Sequence, residues 1–170
     1  MEKMIDTKIE KYKLRFAQEK DIPLILEFIK KLALYEKLLP QVTATEENLR
    51  ESLFIRKVAE VIIGEYNGRP VSYAIFFHNF STFDGKLGIY LEDIYVEPEF
   101  RGKNFGKTLL KYVAKLAIDR NCSRFEWACL DWNESSIKFY KQLGAIEKDE
   151  WTIFRLSGNS LVDLANEIDK

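Results

Sequence analysis

The chain has 170 residues, and its 26 basic and 27 acidic side chains leave a formal charge of -1; that length suits one well-buried domain, and the balance lacks the basic excess of a phosphate-backbone binder. With 46% hydrophobic and 14% aromatic residues, only 4 prolines and 8 glycines, the composition excludes disordered and fibrous classes. The leader Met1 to Asp6 is too polar for a signal peptide and no stretch approaches the roughly 20 apolar residues of a membrane span, so a cytoplasmic protein with no membrane or nucleic-acid partner is expected.

Tyr12-Lys13-Leu14-Arg15-Phe16 alternates as a half-buried strand does, and Asp21-Ile22-Pro23 then sets a capping side chain before a proline tolerated in a first helical turn. The helix that follows has its apolar stripe at Ile22, Ile25, Ile29 and Leu32, widened by Leu26 and Ala33, and exits at Leu39-Pro40. A second short helix is expected after Thr43 or Thr45, where Thr43 and Glu46 have capping-box spacing and the chain lacks glycine and proline through Phe54.

Val58 to Ile63 is a compact, β-branched run closed by the turn pair Asn67-Gly68, which predicts an antiparallel hairpin with Val71 to Phe77. The turn region Phe83 to Lys86 leads to a third strand around Ile89 to Val96. The period then changes: Phe105, Leu109, Val113, Leu116 and Ala117 define a helical stripe, with Lys107, Lys111 and Lys115 toward solvent. A strand at Arg124 to Cys129, a helix from Asn133 to Leu143 ending at Gly144, a strand at Trp151 to Leu156 and a short closing helix after Gly158 complete the reading. No repeat or proline-rich linker interrupts the order, so a single mixed α/β domain over 1–170 is expected, with a central, mostly antiparallel sheet flanked by helices.

Cys122 and Cys129 lack Cys-x-x-Cys spacing and a histidine cluster, so they read as reduced core cysteines, and no metal is expected. His78, the one histidine, has no evident hydrolytic triad and reads as a strand-end side chain.

The most informative segment is Tyr90 to Gly106, where a strand delivers Glu92 and Asp93 to opposite faces and a turn with glycines leads into a helix. Unpaired amides at a helix start accept anion hydrogen bonds, and Arg101 and Lys103 add charge-assisted contacts, so the loop suits a phosphate; an ordinary tight turn beside a solvated basic patch is the competing reading. Here the chain resembles the GCN5-related N-acetyltransferase superfamily, and within it the diamine, or spermidine/spermine, acetyltransferase type. The resemblance covers most of residues 12 to 156. It rests on Tyr90-Leu91-Glu92-Asp93-Ile94-Tyr95-Val96, on Arg101-Gly102-Lys103-Asn104-Phe105-Gly106, and on Asp131-Trp132-Asn133 leading to Phe139-Tyr140-Lys141-Gln142-Leu143-Gly144-Ala145.

The resemblance implies the acyl-CoA N-acyltransferase fold, acetyl-CoA as co-substrate, a small di- or polyamine as acceptor, direct transfer and a homodimer. It places pantetheine along Ile94, Tyr95 and Val96 and the pyrophosphate over Arg101, Gly102, Lys103, Asn104, Phe105 and Gly106, assisted by Lys107. Asn104 stands where the family motif has its central glycine, and asparagine adopts the left-handed backbone more readily than most residues. Asn133 and Ser135 resemble cofactor-contacting positions, although Asn133 equally suits a helix cap. Tyr140 matches the acid that protonates the CoA thiolate, whereas periodicity alone would pack it beside Ile137. Glu92 matches the base, and Tyr35, Glu36 and Asp93 the amine-binding acids and their neighbour. Glu92 and Asp93 can serve one site only if a bulge, bend or water network reconciles their opposite directions. Lys31 and Leu39-Pro40 stand where the resembling enzymes carry acids, which leaves thialysine, lysine-like or other small primary amines open, as well as a weakly catalytic CoA-binding module.

Overall fold

The computed structural model describes residues 3–168, so the outermost residues of the 1–170 expectation lie outside it. The chain divides into two compact units, Met1–Ala128 and Cys129–Lys170. The first holds β1 (Ile5–Asp6), β2 (Tyr12–Phe16), α1 (Ile22–Tyr35), α2 (Glu46–Leu49), β3 (Glu60–Tyr66), β4 (Arg69–Ser81), β5 (Lys86–Val96), α3 (Phe105–Asp119) and β6 (Arg124–Trp127). Its sheet runs β1-β2-β3-β4-β5-β6, antiparallel until β6, which lies parallel to β5 after the α3 crossover. The hairpin forms at Asn67-Gly68, both with positive φ (52° and 75°), as that turn pair requires.

Strand alternation sends two residue sets to two faces. On one face, Ile25 and Phe28 of α1 pack with Val61, Ile63, Tyr73, Ile75 and Tyr95. On the other, Phe105 at the start of α3 stacks on Tyr12 of β2 with ring centroids 3.9 Å apart. The Tyr12 hydroxyl crosses β3 to meet Ser72 Oγ at 2.8 Å, and a Cβ on Gly64 would sit 2.2 Å from that oxygen, so position 64 admits only glycine without a shift.

Asp21 departs from the cap expected of it. Its carboxylate instead accepts from Arg15 at 2.6 and 2.9 Å and from the Gln18 amide at 2.8 Å, inside the protein, because a buried guanidinium on β2 outcompetes the helix start. Thr45, not Thr43, caps α2 by accepting from Asn48 N, and the chain continues as a π-helical turn over Arg50–Ile55. His78 lies within β4 rather than at its end, against Arg120 at 3.3 Å. Neither Cys122 nor Cys129 is in a disulfide among the described residues, and both are half-buried rather than core.

The second unit contains α4 (Glu134–Gln142) and α5 (Asn159–Ala165). Asn133 caps α4 by accepting from Ser136 N, and Gly144 ends the helix at φ 89°. The strand expected at Trp151 to Leu156 does not form: these residues have no ladder partner among the described residues, and Phe154 is 91% exposed. Alternation is a local property, whereas a strand is held by its neighbour.

Candidate active site

β5 organises the site in the first unit. Its pairing with β6 runs from Gly88↔Arg124 to Leu91↔Trp127 and stops, so among the described residues Glu92 to Val96 has a strand neighbour on the β4 side only. The far edge of that segment is where an extended, amide-bearing ligand can add as a strand does. The β4 register moves from Phe76↔Leu91 to Ile75↔Asp93, leaving Glu92 as the extra residue of a β-bulge.

The bulge changes which face the following residues occupy. Phe76 and Leu91 pair on the α3 face, Ile75 and Asp93 on the α1 face, so Asp93 and Tyr95 turn toward α1 while Glu92 stays exposed. The opposition between Glu92 and Asp93 expected of a regular strand is thereby relieved. Asp93 is half-buried and accepts from the Tyr73 hydroxyl at 2.9 Å. Burial holds its carboxyl above the usual range, with the Glu92 charge adding to the effect and the Tyr73 bond opposing it. Glu36, just past the end of α1, is raised by burial and then by the Asp93 charge. Glu36, Asp93 and Glu92 thus form one electrostatically linked acidic site suited to a cation.

At the other end of β5 the chain turns through Pro98–Phe100 into α3. Gly102 and Asn104 both take left-handed backbone, φ 76° and 64°, so asparagine supplies the conformation for which the motif uses glycine. Gly106 lies in the first turn of α3, where an added Cβ would meet Val96 Cγ2 at 3.6 Å, an ordinary contact. The helix start offers its first amides, Lys107 is half-buried beside them, and Lys103 lies exposed, 4.9 Å from the Phe100 ring. Arg101 donates from Nε to the Val96 carbonyl at 3.0 Å and lies over the Tyr35 and Tyr95 rings. Open strand edge, cationic loop and helix start together fit a ligand with an amide arm and a pyrophosphate.

Lys31 does not project a free cation: its Nζ meets Glu97 at 2.5 Å and Glu27 at 2.6 Å, and Tyr95 also donates to Glu97 at 3.1 Å. Sequence reasoning missed Tyr73 and Glu97 because their partners lie in other segments. In the second unit, Asn133 Oδ1 is engaged as a cap and lies 3.2 Å from Ser135 Oγ, while Tyr140 is half-buried on α4 with its ring 5.4 Å from Phe139. Among the described residues no group of three or more metal-ligating side chains occurs, and no helix is long and apolar enough to cross a membrane.

The mixed sheet, its split between β5 and β6 and the loop before α3 define an acyl-CoA N-acyltransferase fold. The family model of the acetyltransferase (GNAT) family matches residues 29–145, and the chain belongs to that family. A thialysine N-epsilon-acetyltransferase of Sus scrofa is 42% identical over 166 residues, covering 91% of this chain and 97% of the relative. A human spermidine/spermine N(1)-acetyltransferase-like protein 1 is 29% identical over 175 residues, 96% of this chain but 25% of that protein. Among solved structures, an integron cassette protein from V. cholerae superposes with a TM-score of 0.78 at 25% identity, over 92% of this chain and 99% of that one. The protein is an acetyl-CoA-dependent N-acetyltransferase acting on a small amine. The diamine type implied by the sequence resemblance is the less supported branch, since the relative of higher identity and nearly full coverage is named for thialysine.

Proposed function

We propose that this enzyme acetylates the terminal side-chain amine of thialysine or a similar lysine-like amino acid. The 42% identity over 97% of the porcine thialysine enzyme carries this reading, and the acidic group of Glu36, Asp93 and Glu92 supports a cationic acceptor. Small di- and polyamines are the second reading, favoured by that same acidity and by the human relative.

In the proposed reaction, pantetheine lies along Ile94 to Val96 and the pyrophosphate over Arg101 to Lys107, with Asn133 and Ser135 as further cofactor contacts. Asp93 and Glu36, beside Tyr35, attract the ammonium form. Glu92, at the exposed bulge, accepts its proton directly or through water. The neutral nitrogen then attacks the thioester carbonyl, the C–N bond forms, the nitrogen loses its second proton to solvent, and the C–S bond breaks as the tetrahedral centre collapses to the amide. Tyr140 gives its proton to the departing CoA thiolate and is reprotonated from solvent. No acetyl-enzyme forms, so incubation with acetyl-CoA alone leaves the protein mass unchanged. A single domain over 1–170, working as a homodimer in the cytoplasm, completes the proposal.

The deciding experiment is a competitive panel of thialysine, lysine, putrescine, spermidine and spermine, with products identified by mass and fragmentation. Thialysine acetylated at its terminal nitrogen with the highest kcat/KM is the expected result. A higher kcat/KM for spermidine transfers the assignment to the diamine branch.

A further inference from the structure

Arg101 belongs to the phosphate loop, yet its guanidinium lies 4.8 Å from the Tyr35 ring centroid and 5.6 Å from that of Tyr95. Its Nε donates to the Val96 carbonyl at 3.0 Å. The side chain is thus tethered to α1 and to β5 although residue 101 is solvent-exposed. A planar guanidinium can do this while keeping its outer nitrogens available, because rings take its face and hydrogen bonds its edge.

The helix end it covers needs such a partner. Tyr35 is the last residue of α1, whose final turn carries no basic side chain. A cation laid across that ring complements the negative end of the helix dipole. Immediately beyond, Glu36 keeps helical backbone and Lys37 turns left-handed at φ 62°, closed by a Leu38 N to Ala33 O bond of 2.8 Å. A non-glycine residue is held in that conformation only by its surroundings. Through Arg101, over the Tyr35 ring, the phosphate loop reaches this turn.

We propose that Arg101 is a positioning residue for the amine half-site: it holds the last turn of α1, and with it Glu36, against β5, and so couples acetyl-CoA binding to amine binding. The proposal rests on the reading that Glu36 attracts the amine. A phosphate engaging the outer guanidinium nitrogens restricts Arg101 further, tightens the turn and favours the amine. Linkage makes the effect reciprocal.

The test pairs Arg101→Lys, which keeps the charge but not the planar fork, with Tyr35→Leu, which removes the ring. On the usual scale of a cation–π contact, Arg101→Lys should raise the KM for thialysine, measured at saturating acetyl-CoA, about fivefold. Tyr35→Leu should raise the amine KM similarly, and the double variant no further than either single one, since both break one contact. Amide hydrogen exchange at Lys37 and Leu38 should quicken about fivefold in Arg101→Lys without any substrate present. A weaker acetyl-CoA complex with unchanged amine KM and unchanged exchange, or an additive double variant, overturns the proposal. The exchange readout needs no amine, so a wrong substrate class shows instead as wild-type preference for another acceptor with the exchange difference intact.

Discussion

Tyr73→Phe removes one oxygen and tests whether Asp93 is the carboxylate that the amine senses. Tyr73 is fully buried, its ring stacks on Phe28 at 5.2 Å, and its hydroxyl donates to Asp93 Oδ2 at 2.9 Å. Phenylalanine preserves the ring contacts, so the substitution isolates the bond. The bond favours ionised Asp93 against the burial that raises its pKa; deleting it moves the carboxyl further up. A hydrogen bond to a charged group contributes about 1.5–3 kcal/mol, and losing it disfavours the ionised carboxylate by that order. Below its pKa Asp93 is neutral and no longer attracts the ammonium, so the amine KM climbs as pH falls. Measured between about pH 5 and 8, that climb should begin at a higher pH in Tyr73→Phe than in the wild type. An identical onset in both proteins would refute the reasoning. The same sign applies to stability: a carboxyl raised in the folded state contributes stability below its unfolded pKa and loses it as pH rises through the folded one. Asp93→Asn should therefore leave neutral-pH stability unchanged or higher while raising the amine KM.

Asp21→Asn takes one of two carboxylates from Arg15, which is 4% exposed and stays paired with Glu65 at 2.6 Å, and should cost about 1–3 kcal/mol, a fall in Tm of about 5 °C in a thermal scan. Burial alone would raise Asp21, but the Arg15 bonds prevail and lower it, so its stabilising contribution is present above the unfolded pKa and is lost as pH falls through the folded one. Tyr140→Phe should lower kcat about 100-fold, with acetyl-CoA Kd unchanged by calorimetry; undiminished turnover would remove its acid role. Asn104→Ala, at φ 64°, should cost about 1 kcal/mol, whereas Asn104→Gly should not destabilise that turn through strain; equal Tm values for the alanine variant and wild type would count against a strained turn.

What the sequence made legible was local chemistry. Of the expected α3 stripe, Phe105, Leu109, Val113 and Ala117 are buried and Leu116 is half-buried, Asn67-Gly68 makes its hairpin, Asn133 caps α4, and Asn104 takes the left-handed conformation. Features set by distant partners were not legible. Asp21 looked like a cap until Arg15 claimed it, and Trp151 to Leu156 alternated like a strand that found no ladder. β1 is two residues long, too short for any periodic signal.

The bulge at Glu92 is the clearest case, because there the site depends on breaking the rule by which strands are read. Regular alternation would put Leu91, Asp93 and Tyr95 on one face, so Tyr95 would leave the α1 core and Asp93 would leave Tyr73. One extra residue opposite the Ile75/Phe76 step reverses that phase. Asp93 then meets the Tyr73 hydroxyl and senses Glu36, Tyr95 packs with Phe28, and Glu92 remains exposed at the point where β5 leaves β6. A lost ladder position is the cost of placing two adjacent acids in one site. Such local irregularity is characteristic of functional positions, and here it supplies the acidic surface on which the proposed cationic acceptor would bind.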